Sequence, residues 1–132
     1  MEFKHVTYES LKQSARHYYG EGGYCTVIMV ALVLGWKFGK ARSEWKRRGR
    51  RDGCGTYFRD QKQLLADHGI TLKLFSYRTG GTLSTVASKL PSKGMFLVYS
   101  RGHVSVVRDG ILEDWATDSR KRVIDIYQVV YN

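Results

Sequence analysis

Residues 26–36 read TVIMVALVLGW, a segment that is apolar on every side. A segment with no polar face has to be buried all round, so the rest of the chain must enclose it. Its β-branched residues suit a strand. Its length and the stop at Gly35 favour a buried helix, and local pattern alone leaves both open. The longest apolar stretch, Val27 to Leu34, is far shorter than the roughly 20 residues a membrane span requires. The opening residues, MEFKHVTYESLKQSARHYY, hold no apolar signal core. The expectation is a soluble, cytoplasmic protein with no membrane partner.

A length of 132 residues, 42% of them hydrophobic, predicts a single domain over 1–132 with its own core. That excludes wholesale disorder and a two-lobed enzyme with separate cofactor and substrate domains. A chain of this size buries roughly two-thirds of its unfolded surface, so it needs no disulfide staples. Its two cysteines, Cys25 and Cys54, form no CxxC; they exclude a disulfide-rich framework and leave room for one bridge.

Tyr8 to Tyr19 shows helical spacing through Leu11 and Ala15, and GEGGYC (residues 20–25) is a glycine-rich turn. A basic helix is predicted from about Lys40 to Arg48, with Ala41 and Trp45 on its apolar side. Residues 47–55 form a loop. Thr56 is a good N-cap for the following helix, which turns Phe58, Leu64 and Leu65 inward and ends at Gly69. ITLKLF (70–75) alternates as a strand does, and 83–90 is a short helix stopped by Pro91. The remainder reads as strands at 94–100, 103–108, 111–115 and 122–131, with Asp109-Gly110 as the strongest hairpin signal. Helices followed by an antiparallel meander make the fold class α+β.

Three residues have suitable chemistry. Cys25 follows the glycine-rich turn and begins the apolar segment. If that segment is a helix, its free N–H groups and dipole favour the thiolate and stabilise an oxyanion beside it. His103 opens a strand after a glycine, and imidazole serves as both base and acid near neutral pH. A two-residue turn at Asp109-Gly110 sets Arg108 opposite Ile111, Val107 opposite Leu112 and Ser105 opposite Asp114. Asp114 then shares a face with His103, one diagonal step away, where a carboxylate can orient the imidazole. Asp118, of the same parity, is the second candidate for that role. Cys54, in RRDGCGTYF, lies among cations but has no evident base.

The order Cys at a helix start, His at a strand start, Asp on the next strand resembles papain-like cysteine peptidases. The resemblance is closest to the compact C39-like forms and to small papain-like proteins encoded by bacteriophages. It is carried by GGYCTVIMVALVLG and GHVSVVRDGILEDW, with GTYFRDQKQLLADHGI between them, and covers roughly Gly20 to Tyr131. The 78 residues from Cys25 to His103 are short for papain and natural for the compact forms. The resemblance implies that 26–36 is a helix, with N-terminal helices packed on a C-terminal antiparallel sheet. It further implies a thiol hydrolase (peptidase, deamidase or acyl transferase) with a Cys25–His103–Asp114 triad and a peptide or protein substrate. No His/Cys spacing supports a zinc site, and no metal or cofactor is expected. One departure is plain. These peptidases commonly place a Gln several residues before the Cys to complete the oxyanion hole, and residues 18–24 contain none. Gln13 is distant, Tyr19 is a hydroxyl alternative, and the Cys25 N–H remains.

Charge suggests a second class of function. The formal net charge is +10, of which residues 37–51 carry +7. Lys46, Arg47, Arg48, Arg50 and Arg51 form the densest part of this segment, with Trp45 available for stacking. Such a patch fits an acidic protein or nonspecific nucleic acid. No helix-turn-helix, zinc-finger or RNA-recognition signature accompanies it. The alternative function is therefore a catalytically weak or inactive papain-like scaffold, phage-encoded, that binds through this segment.

Overall fold

The computed structural model describes residues 7–19, 24–51, 54–77, 81–113 and 122–132. The chain divides at His68–Gly69 into two compact units, the first helical and the second built on a sheet. This gives the α+β class, with five α-helices and five strands among the described residues.

In the helical unit, α1 (Tyr8–Tyr19) starts at Thr7, whose Oγ1 accepts the Ser10 N–H at 3.2 Å. α1 buries Leu11 and Ala15. The apolar segment is a helix, α2 (Cys25–Leu34), and every residue from Thr26 to Leu34 is buried. It ends at Gly35, in the left-handed region at φ 69°, where glycine avoids a Cβ clash. Its uniform hydrophobicity is explained by its neighbours, because α1, α3 and α4 all contact it. α3 (Phe38–Arg47) inserts Phe38, Ala41 and Trp45 at helical spacing, and the Trp45 indole N–H donates to the Thr26 carbonyl at 3.3 Å. α4 (Phe58–Asp67) buries Gln61, Leu64 and Leu65, while Phe58 is half-buried. Thr56 is not its N-cap. The cap is Tyr57, and the Thr56 carbonyl and Oγ1 instead accept from Gln61 Nε2 at 3.1 and 3.2 Å.

In the second unit, β1 (Ile70–Tyr77), β2 (Met95–Ser100), β3 (His103–Arg108), β4 (Ile111–Glu113) and β5 (Val123–Tyr131) form one antiparallel sheet. Its order is β1-β5-β2-β3-β4. Between β1 and β2, α5 (Leu83–Val86) runs into a single 3₁₀ turn, Ala87–Lys89, where a continuous helix to residue 90 was expected. Leu83, Val86 and Leu90 from this segment pack on Phe96, Val98, Val107, Val123 and Ile126 of the sheet.

Asp109 (φ 53°) and Gly110 (φ 80°) both adopt positive φ, as a two-residue turn of this hand requires. Asp109 Oδ1 accepts the Gly94 N–H at 2.9 Å, tying the turn to the start of β2. Arg108 pairs with Ile111, Val107 with Leu112 and Val106 with Glu113, the register expected from the turn.

Candidate functional site

Cys25 is the first residue of α2. N–H groups in a first helical turn have no acceptor within the helix. No side chain caps this one at Tyr24, and its first turn holds no acidic residue to oppose a thiolate. Cys25 is also the only residue of α2 that keeps partial exposure, the other nine being buried. Cys25 and Cys54 are both thiols, with no bridge between them, and Cys54 is exposed.

Tyr24 is 3% exposed and fixed from two sides. Phe38 meets it edge-on at 5.3 Å between ring centroids, and the Arg50 guanidinium lies over its ring at 4.8 Å. A permanent cation therefore sits against the residue preceding Cys25. The basic segment and the candidate nucleophile, separated along the chain, belong to one neighbourhood in the helical unit.

His103 is the first residue of β3, half-buried, and pairs with Ser100 across the turn formed by Arg101 and Gly102. Gly102 takes φ 70° there, which leaves room for the tight turn. Strand alternation puts His103 on the face that carries Ser105 and Val107, and Val107 belongs to the core beneath α5. Ser100, opposite His103 and 5% exposed, has a buried hydroxyl with no hydrogen-bond partner among the described residues. Asp114 and Asp118 lie outside the described residues. Cys25 belongs to the helical unit and His103 to the sheet unit. Gln13 is an exposed residue of α1.

The basic segment is not a uniform solvated face. Glu44, 8% exposed, organises it from within. Arg47 donates to its Oε1, Arg48 Nε donates to its Oε2 at 2.8 Å, and His68 Nε2 stands 3.8 Å from the same oxygen. Burial alone would raise the Glu44 carboxyl. The Arg48 hydrogen bond and the charges of Arg47, Arg48 and His68 outweigh burial and hold it below its ordinary value. Arg48 also reaches Asp67 on α4 through Nη2 at 2.9 Å, so it joins two helices. Arg50, 7% exposed, is a packing residue and not part of an open charged surface. Lys46, Arg47 and Arg51 keep the exposure a partner would need.

Beside this segment lies a cleft of about 220 Å³, bounded by the end of α3, the following loop and the start of α4. Arg48, Arg50, Gly55, Tyr57, Asp60 and Gln63 line it. Tyr57, Asp60 and Gln63 carry no motif that marks them in the sequence; they join the arginines because the start of α4 borders the same cleft as the end of α3. Among the described residues, no three His, Cys, Asp or Glu side chains converge as metal ligands would. No described helix is long and apolar enough to cross a membrane. Comparison of the chain with protein-family models, with curated proteins and with solved structures finds no match.

Proposed function

We propose that this chain is a papain-like thiol hydrolase that cleaves an amide or thioester in a peptide or protein. The observation that carries the reading is Cys25 itself. It is the one accessible position on an otherwise buried helix, at that helix's uncapped start, with Arg50 against its neighbour. Each of these features favours a thiolate.

In the proposed reaction the Cys25 thiolate attacks the carbonyl carbon, and first-turn N–H groups stabilise the oxyanion. His103 gives a proton to the leaving amine as its bond to carbon breaks, leaving an acyl thioester on Cys25. Water, deprotonated by His103, then attacks that thioester, releasing the acid and regenerating the thiolate. Asp114 holds the imidazole in the required orientation. Deamidation uses the same steps on a side-chain amide, and acyl transfer replaces water with another nucleophile.

Labelling with a peptide bearing a thiol-reactive electrophile tests this reading against simple exposure. Exposure alone predicts that Cys54 reacts first. The proposal predicts that Cys25 reacts first and that His103→Ala slows it by roughly tenfold or more, the scale of losing a general base. Labelling of Cys54 alone, or of Cys25 at a rate indifferent to His103→Ala, overturns it. A second reading, binding of an acidic partner by the basic segment, is favoured by the exposure of Lys46, Arg47 and Arg51.

A further inference from the structure

We propose that the cleft beside α3 and α4 binds a nucleoside monophosphate group, taken from a free nucleotide or from the end of a nucleic-acid strand. The inference goes beyond the hydrolase reading. It rests on the reading of the basic segment as a binding surface, and it names the ligand.

The cleft offers a distinct partner for each part of such a ligand. For the phosphate there is the Arg48 guanidinium, with the charge of the mostly buried Arg50 behind it in the cleft wall. Arg48 donates to Glu44 through Nε and to Asp67 through Nη2, and neither bond uses Nη1. Its planar fork is thus held in place by two carboxylates while one edge is left for an anion. For the sugar there are acceptors. Gln63 Nε2 donates to Asp67 Oδ1 at 2.8 Å, which fixes the carboxamide and leaves Oε1 to accept a hydroxyl. The Asp60 carboxylate, 3.8 Å from Arg59, is a second acceptor; it opposes a bare anion and suits a ribose. For the base there is Tyr57, 75% exposed at the rim, with the Arg59 guanidinium over its ring at 5.9 Å.

Size supports the same division. The 220 Å³ cleft is smaller than the roughly 300–1,000 Å³ of drug-sized sites, so it suits a sugar–phosphate with the base outside on Tyr57. A Cβ added at Gly55 would meet no atom within 4 Å, so this wall stands open to the ligand. An acidic peptide would use the arginines but neither the acceptors nor the ring.

The test is calorimetric titration of the full chain with adenosine 5′-monophosphate, inorganic phosphate, a 5′-phosphorylated single-stranded oligonucleotide and an acidic peptide. Adenosine 5′-monophosphate is expected to bind saturably and more tightly than inorganic phosphate. Tyr57→Ala should weaken the nucleotide by roughly five- to hundredfold, the range of one stacked base, and leave inorganic phosphate unaltered. Gly55→Asp places a charge in the open wall without displacing any neighbour and should abolish both. Both variants lie at exposed positions, so they test the site without testing the fold. An oligonucleotide that binds at least tenfold tighter than the mononucleotide identifies a strand end as the source; equal affinity identifies the free nucleotide. No saturable nucleotide binding, or binding indifferent to both variants, overturns the proposal. Binding of the acidic peptide alone also overturns it, while leaving the basic segment as a binding surface.

Discussion

Glu44 is the single acid within fifteen residues that hold eight cations, and its burial decides how those cations are arranged. Glu44→Gln keeps the shape and removes the charge, so Arg47 and Arg48 lose their shared partner. Arg48 keeps Asp67, and Arg47 is largely in water, which limits the loss. The expected destabilisation is about 1–3 kcal/mol in denaturant unfolding, the range for a buried polar partner removed. A change below 0.5 kcal/mol would show that the cluster is held by packing alone. The sequence displayed the cations and the lone Glu, but not which arginines are spent on structure. Arg50 could not be recognised as buried, because its aromatic partner Tyr24 lies 26 positions earlier and no local spacing connects them.

At the scale of elements, geometry is legible in the sequence where short-range chemistry determines it. Asp109-Gly110 specifies a turn, and the turn specifies which residues face each other, so the Arg108–Ile111 and Val107–Leu112 pairs were legible. Asp109→Asn should be nearly neutral, since Asn tolerates φ of 53° and keeps an oxygen for the Gly94 N–H. Asp109→Val should cost about 1–2 kcal/mol, because a β-branched residue is strained there. Thermal melts of the two variants side by side check this; equal stabilities would mean the turn does not constrain the hairpin. Geometry is not legible where competing partners decide it. Thr56 has a good capping side chain, but Gln61 engages its hydroxyl, and the helix starts one residue later. For α2 no local pattern could separate helix from strand, because burial on all sides erases the periodicity that distinguishes them.

Across the molecule, acid acts on the two units with opposite signs. In the helical unit Glu44 and Asp67 both titrate below their ordinary values, Asp67 because Gln63 and Arg48 hydrogen-bond to it. A lowered folded value gives stability that is present above the unfolded carboxylate range, near pH 4, and is lost as pH falls through the folded value. In the sheet unit, burial raises the Glu113 carboxyl despite its Arg108 partner at 2.7 Å. That contribution is fully present below the unfolded value and is lost as pH rises through the folded one. The expected net result is a denaturation midpoint that falls from pH 5 to pH 3, and a flatter fall in Glu44→Gln/Asp67→Asn. An unaltered slope in the double variant would assign the acid sensitivity elsewhere. The order of the sheet has a further consequence. Among the described residues β1 has β5 as its only neighbour, and 45 residues separate the two along the chain. At ribosomal rates of roughly 5–20 residues per second, the 54 residues from the end of β1 to the end of β5 leave β1 an orphan for about three to eleven seconds. During synthesis, then, the sheet can begin at the β2–β3 hairpin, but β1 is admitted only when β5 has left the ribosome to receive it.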